Sequence, residues 1–427
     1  MISAGATARS AAALAVSAVL LQLTVSANLL TWLGISYVTE GGSLLTKLHP
    51  ATDLIILASV IIVFQRDGLR ELLEKSPLLL LFIGAMFTCV LGSALLTGAG
   101  NLVVLLDTFL SAGLLASVLA GAGSAEIARL RRMMQILMAA NAVLALAEVA
   151  AHATLVPLYL NYAAYHPHDS DFRPTAMFDH PLTGSVMTMF GLALAPRRGS
   201  VRVFYTALIW TALLAYGGRM ALLASLAILA GLAAERGKTL VLTRDPAASR
   251  MVLRAAAGAV VLVVLIGLAL TSGVGTRLVG HLYWDDSAQV RLAQWQLLGQ
   301  LDTWQWLFGT RRTDLLSLLT PLWLGSGVEV IENFWLLMFV SLGVLLFPVF
   351  VVGLGALLAW CWRYTTLHGR FLLVGVMLVA ATSNSLARKS NVLFCLVATI
   401  ICMPARTPRV SQPESKTLTR YSGALAA

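Results

Sequence analysis

Charged residues and loop cysteines are both scarce in this chain. Only 12% of the residues are charged and 58% are hydrophobic, whereas a soluble domain carries roughly 25% charged residues. All four cysteines lie in or beside apolar runs and none lies in a polar loop. The sequence therefore offers neither a disulfide framework nor a CxxC metal site. The composition predicts an all-α polytopic integral membrane protein without a soluble domain of any size.

Apolar runs recur along the whole chain at close to the length that a membrane helix needs, which is ~20 residues. The first run follows Arg9 without a convincing cleavage site, so we expect an uncleaved first span rather than a signal peptide. Residues 1–403 are then a single membrane domain. The runs, about twelve in number with several short ones, are residues 11–30, 52–65, 76–96, 101–120, 133–156, 181–196, 203–217, 220–234, 252–272, 331–361, 371–385 and 390–403.

The basic residues form short clusters between these runs. The net charge of +10 therefore reports membrane topology and excludes the single basic patch of a nucleic-acid-binding protein. With the N-terminus and the C-terminus inside, most of the Lys and Arg residues fall in inner loops, as the positive-inside rule requires. This orientation puts a long loop, residues 273–330, on the outer face between the ninth and tenth spans. Residues 404–427 form a polar cytoplasmic tail that we expect to be disordered.

Two outer stretches combine arginine with proline or glycine. In DFRPTAMFDHPLTGS, residues 171–185, Pro174 holds Arg173 extended, and His180 leads into the next span. In AYGGRMALLASL, residues 215–226, Arg219 follows two glycines between two short apolar runs. Arg219 is either an interfacial arginine whose charge reaches water or a cation in a cavity below the outer surface. The glycines favour the second interpretation because they permit a tight, strained turn.

Two further outer stretches carry polar residues at helical spacing. WDDSAQVRLAQWQLL, residues 284–298, predicts a short amphipathic helix with Arg291 and Trp295 on one face. IENFWLLMFVSLG, residues 331–343, opens an apolar span with Glu332, which either caps the helix or acts as a base facing a cavity. Two outer basic pairs, Arg311-Arg312 and Arg388-Lys389, are further candidates. Asp107, Glu148 and His152 fall in the outer halves of their spans, and we expect these three to line an outward-facing polar cavity.

Several arginines at the outer interface suit a lipid diphosphate. The planar guanidinium binds phosphate oxygens in a two-pronged manner and stays charged at any relevant pH. Fixed cations can stabilise a departing diphosphate without a metal or any other cofactor. Glu40 and Asp53 are too far apart in the sequence to suggest the carboxylate pair of a metal-dependent sugar transferase.

The four stretches, over residues 170–345, resemble those of the O-antigen ligase and Wzy-type polysaccharide polymerase superfamily of bacterial inner membranes. The first resembles the family's Arg-then-Pro-small stretch, and the second its Gly-Arg-small-Leu-Leu segment. The third, with WLFGT after it, resembles an Asp-Ser-x3-Arg-x3-Trp helix followed by an aromatic-Gly turn. The fourth resembles a His-Asn span ending in Gly, except that Glu332 stands where ligases have His. Glu-Asn-Phe-Trp is similar to VpsF-like exopolysaccharide proteins.

The resemblance implies transfer of a glycan from an undecaprenyl-diphosphate carrier to an acceptor glycan hydroxyl, outside the cytoplasmic membrane. It implies that Arg219, Arg291 and Glu332 act in catalysis. Substrate binding falls to Arg173, His180, Arg311, Arg312 and Arg388. Because Glu332 replaces the ligase His, a polymerase of repeat units is favoured. Ligation of finished glycan to lipid A core or protein, and a lipid-linked glycan flippase, stay open as alternatives, as does binding of a chain-length regulator. The absence of a repeat between the two halves of the chain counts against a transporter.

Overall fold

The structure is a computed structural model. It describes residues 4–37, 43–64, 76–160, 163–165, 172–196, 199–243, 292–326, 331–381, 386 and 389–403. The predicted tail, the predicted span 252–272 and the first part of the predicted outer loop lie outside these residues.

The described chain is a helical bundle with one small β-hairpin. An apolar core runs through the bundle. In chain order the elements are α1 (Ala4–Thr24), α2 (Ala27–Trp32), α3 (Leu44–Lys47), α4 (Pro50–Val63), α5 (Pro77–Leu96), α6 (Ala99–Val104), a π-helix (Leu105–Leu110), α7 (Ser111–Ala120), α8 (Ser124–Ala151), β1 (Leu158–Leu160), β2 (Ala163–Tyr165), α9 (Pro181–Ala193), α10 (Gly199–Tyr216), α11 (Arg219–Thr243), a 3-10 helix (Gln294–Gln300), α12 (Thr303–Phe308), α13 (Arg312–Ser326), α14 (Phe334–Tyr364), α15 (Leu367–Ala381) and α16 (Val392–Ile401). The two strands pair antiparallel, with Leu158 opposite Tyr165.

Five helical stretches among the described residues are long and apolar enough to cross a membrane. They are Pro77–Leu96, Leu102–Ala120, Ser124–Ala151, Gly199–Tyr216 and Phe334–Tyr364. Several shorter apolar helices accompany them. A helical polytopic membrane protein is therefore supported.

Two short helices, α9 and α16, lie at the centre of the bundle and pack on each other. Every residue of α9 except Leu182 is buried, and so is every residue of α16 up to Ile400. Their lengths are only about 20 and 15 Å at the helical rise of 1.5 Å per residue. Both helices end at Arg131, whose guanidinium donates to the carbonyl oxygens of Leu194 at 3.4 Å and Cys402 at 3.3 Å. One cation thus stabilises the negative ends of two parallel helix dipoles.

Polar side chains gather at the two ends of the bundle. We call one the Arg131 end, where Gln135, Glu235 and His368 also lie around the C-termini of the central helices. We call the other the Tyr37 end, where the chain enters those helices. There the side-chain amide of Asn28 donates to the carbonyl of Asp179 at 3.0 Å and ties α2 to the loop before α9.

The predicted single span over residues 331–361 is wrong, because α14 folds back on itself at Gly343. Gly343 has φ +67° and ψ 176° inside the helix. Phe334 and Phe350 have ring centroids 6.1 Å apart, although sixteen residues of straight helix would separate them by about 24 Å. Phe339 and Phe347, four residues either side of the turn, have centroids 5.4 Å apart. Residues 334–342 and 344–364 therefore form a helical hairpin.

The segment before the hairpin has a small core of its own. Leu297 and Leu301 are buried there against Ile331, Leu336 and Val340. Trp295, which the predicted amphipathic helix places on one face with Arg291, is exposed, whereas Leu297 and Leu301 are buried. The described part of that stretch is chiefly a 3-10 helix rather than an α-helix.

Candidate active site at the Tyr37 end

The loop that carries Arg173 is held in place by a buried carboxylate on α8. Oε2 of Glu148 accepts hydrogen bonds from the backbone N–H groups of Thr175 and Ala176, both at 2.8 Å. Its Oε1 accepts one from the N–H of Leu155 at 2.6 Å. Ala176 has φ +48°, a strained conformation for a residue with a side chain. Glu148 therefore fixes a loop that would not adopt this shape unaided.

A second α8 residue, Asn141, connects the same loop to the end of α10. Its Oδ1 accepts from the N–H of Met177 at 3.2 Å, and its Nδ2 donates to the hydroxyl of Tyr216 at 3.0 Å. Asn141 is 1% exposed and Tyr216 is fully buried. Because unpaired polar groups are costly in such a place, these bonds define where the loop meets α10.

Arg173 lies across the C-terminus of α10. Its Nε and Nη2 donate to the carbonyl oxygen of Tyr216 at 2.9 and 2.6 Å. A cation at this position is favoured by the helix dipole and satisfies a carbonyl that has no partner within the helix. The contact fixes the plane of the guanidinium beside the Gly217-Gly218 turn.

That turn packs closely against the start of α9. Gly217 has φ +66°, and a Cβ atom on it would lie 3.8 Å from Nε of Arg173. A Cβ atom on Gly218 would lie 2.5 Å from the hydroxyl oxygen of Ser185. Arg219, half-buried, is the first residue of α11. The stretches at 171–185 and 215–226 are therefore in direct contact, with both arginines beside one glycine turn.

A separate polar cluster surrounds Asp107 in the π-helix. Its Oδ1 accepts from the N–H of His49 at 3.0 Å and from the hydroxyl of Thr52 at 2.6 Å. Its Oδ2 accepts from the hydroxyl of Tyr37. The ammonium of Lys389 donates to the carbonyls of Tyr37 and Lys47 and lies 4.2 Å from the centroid of the Tyr37 ring.

The protonation states in this cluster suit these bonds. Burial lowers the pKa of His49, which keeps the ring neutral. Its Nε2 donates to the carbonyl of Val25 at 2.8 Å, while the bare Nδ1 accepts from the N–H of Ala51 at 3.1 Å. Burial, followed by the negative charge of Asp107, raises the pKa of Tyr37 well above its usual value, so the phenol remains a donor.

The expectation that Asp107 and Glu148 line an open polar cavity is wrong. Asp107 is 5% exposed and Glu148 is 4% exposed. Their carboxylate oxygens accept the hydrogen bonds that secure the neighbouring loops, as described above. His152 is exposed and ends α8 in the left-handed conformation, with its ring 5.9 Å from that of Phe172.

Glu332 begins the helical hairpin and is partly exposed. Phe334, two residues later, lies level with Phe350 and packs against Phe109 of the π-helix, with the ring centroids of Phe334 and Phe109 6.2 Å apart. Phe350 follows Gly343 by seven residues, or about 10 Å of helix. Glu332 therefore lies at the end of the first arm of the hairpin, more than about 10 Å along the bundle from the turn at Gly343.

The structure describes three of the other predicted site residues. His180 is exposed and its Nδ1 accepts from the N–H of Leu182 at 3.1 Å, which caps α9. Arg311 is exposed, and Arg312 is the first residue of α13. Arg291 and Arg388 lie outside the described residues.

Three residues that sequence reasoning missed contribute to this end of the bundle: Asn141, Tyr216 and Gln294. A lone asparagine in an apolar run and a tyrosine next to the glycine pair were the available signals. Within the described ranges, no three His, Cys, Asp or Glu side chains come together as metal ligands would.

No protein-family profile, curated protein or solved structure matches the chain.

Proposed function

We propose that this protein is a membrane glycosyltransferase that uses an undecaprenyl-diphosphate-linked glycan as donor and polymerises polysaccharide repeat units. The observation that supports it best is the contact between the Arg173 loop and the Gly217-Gly218-Arg219 turn. The two arginines are 46 positions apart in the sequence, yet both adjoin this turn. Arg173 contacts the residue just before it, and Arg219 directly follows it. The rigid anchoring of that loop by Glu148 and Asn141 suits a preorganised binding site.

The chemistry needs cations where negative charge develops. The acceptor hydroxyl oxygen attacks the anomeric carbon, and the bond from that carbon to the diphosphate oxygen breaks with its electron pair. Arg173 and Arg219 offset the charge of the departing diphosphate. Glu332 takes the proton of the attacking hydroxyl as general base. Attack from the face opposite the leaving group inverts the anomeric configuration.

The orientation is part of the proposal. We assign the Tyr37 end to the outside of the bacterial cytoplasmic membrane, with about twelve spans and both termini inside. The support is the charge bias, because the Arg131 end collects basic residues close to the ends of helices. These residues are Arg129, Arg131, Arg132, Arg363 and Arg370.

A deletion strain that carries wild type or Arg219→Ala at equal membrane abundance tests the function. Gels of lipid-linked and surface polysaccharide give the length distribution. Single repeat units that accumulate on the carrier at the outer face support the polymerase. Full-length chains stranded on the carrier would identify a ligase, and units retained on the cytoplasmic side would identify a flippase.

A further inference from the structure

Gln294 is a polar residue in an apolar environment. It is 0% exposed, and its sequence neighbour Ala293 as well as Ile331, which precedes the residues it bonds to, belong to the small apolar core described above. A buried amide costs free energy unless it is hydrogen-bonded. Its Oε1 accepts from the backbone N–H of Glu332 at 3.0 Å and from that of Asn333 at 3.3 Å.

These bonds complete the hydrogen bonding at the start of the hairpin. Oδ1 of Asn333 caps the helix by accepting from the N–H groups of Trp335 at 2.9 Å and Leu336 at 3.2 Å. Gln294 accepts from the two N–H groups just before the helix. The amides of a helix start are normally satisfied by its own cap or by water, so a buried glutamine from another element fixes the backbone of Glu332.

The other end of the same nine-residue segment is held by the same part of the chain. The N–H of Thr310 donates to the carbonyl of Val340 at 2.8 Å. A Cβ atom on Gly309 would lie 2.3 Å from the carbonyl oxygen of Ser341, and one on Gly343 would lie 2.4 Å from the nitrogen of Gly309. Residues 294–310 therefore clamp the segment 334–342 at both ends.

We infer that Gln294 is a positioning residue for the reaction: it holds the backbone of Glu332 so that the carboxylate reaches the acceptor hydroxyl. This inference rests on the proposed function, in which Glu332 is the general base. Gln294 does not touch substrate. Its effect is on turnover, because misplacing a reacting group by about 1 Å can slow a reaction ~100-fold.

The test uses purified protein in proteoliposomes with a carrier-linked repeat unit as donor. Gln294→Met keeps the shape of the side chain but has no oxygen acceptor, and we expect kcat to fall roughly 10- to 100-fold with little change in KM. Gln296→Met, an exposed position of the same 3-10 helix, is the matched control.

The double variant Gln294→Met/Glu332→Gln separates the outcomes. If Gln294 acts through Glu332, Gln294→Met has no further effect once Glu332 is neutral, since coupled residues are not additive. Additive losses would overturn the inference, and so would a Gln294→Met variant that loses thermal stability and donor binding along with turnover. A Glu332→Gln variant with wild-type turnover would show that Glu332 is not the general base. That result contradicts the proposed mechanism and is distinguishable from failure of the positioning role alone.

Discussion

Replacing Glu148 with glutamine should release the loop that carries Arg173. A glutamine can turn its oxygen toward Thr175 and Ala176, but its amide group then faces the N–H of Leu155 as a second donor. Each of the two remaining bonds loses its ionic component, which lowers its contribution by about 1 kcal/mol. The N–H of Leu155, which loses its acceptor in this variant, raises the cost by about 1 kcal/mol more. The total of about 3 kcal/mol corresponds to a ~150-fold increase in the open population of the loop.

Hydrogen exchange followed by mass spectrometry measures this directly. The amides of Thr175, Ala176 and Met177 are donors in the wild-type loop. In Glu148→Gln, exchange of a peptide covering residues 172–180 should accelerate by about two orders of magnitude. Polymer synthesis should fall with it, because Arg173 leaves the end of α10.

Glu126→Gln is the control, since Glu126 lies in the first turn of the same helix at the opposite end of the bundle. This variant should leave the exchange of residues 172–180 unchanged. Wild-type exchange rates in Glu148→Gln would refute the view that this carboxylate anchors the loop.

Three further variants test other parts of the account. Arg219→Lys should impair polymerisation nearly as much as Arg219→Ala, because lysine cannot make the two-pronged phosphate contact; normal chain length in the lysine variant would remove that role. Gly343→Ala should reduce the yield of folded protein in size-exclusion chromatography, since φ +67° costs about 1–2 kcal/mol for a residue with a Cβ atom, which would also overlap Gly309. Gly355→Ala, with nothing within 4 Å of its Cβ position, should fold normally, and equal yields would count against the hairpin. For topology, Trp304→Cys, at a side chain 58% exposed, should react with an impermeant thiol reagent in spheroplasts. Val201→Cys, at a side chain 66% exposed, should stay protected, and the four buried native cysteines keep the background low; the reverse pattern would invert the orientation.

Sequence periodicity and composition were sufficient for the helical membrane character of the fold. They were not sufficient for the hairpin in α14, because the sequence is apolar both before and after Gly343 and residues 331–361 therefore look like one continuous span. A glycine in an apolar helix is common, and the reversal is visible only in the folded chain, in the contacts of Phe334 with Phe350 and of Gly343 with Gly309. The separation of Glu332 from the turn at Gly343 follows from that reversal, and the sequence pattern alone does not give it.

For the candidate site, the sequence indicated the residues but not their partners. Arg173 and Arg219 were identified separately, from proline and glycine beside them. Their common position depends on Tyr216, whose carbonyl accepts from Arg173, and backbone acceptors leave no trace in a sequence. For Asp107 and Glu148, the sequence indicated polar residues in apolar helices but the expected role was wrong. A carboxylate in an apolar helix indicates a polar partner, but it does not say whether that partner is substrate or a neighbouring backbone amide.

The most direct measurement is reconstitution of the purified protein in proteoliposomes with an undecaprenyl-diphosphate-linked repeat unit as the sole substrate. Product length and free undecaprenyl diphosphate are then followed together. The account predicts carrier-linked chains longer than one unit, with one undecaprenyl diphosphate released for each bond formed, and no such products from Arg219→Ala. Movement of the lipid across the bilayer without release of undecaprenyl diphosphate would contradict it.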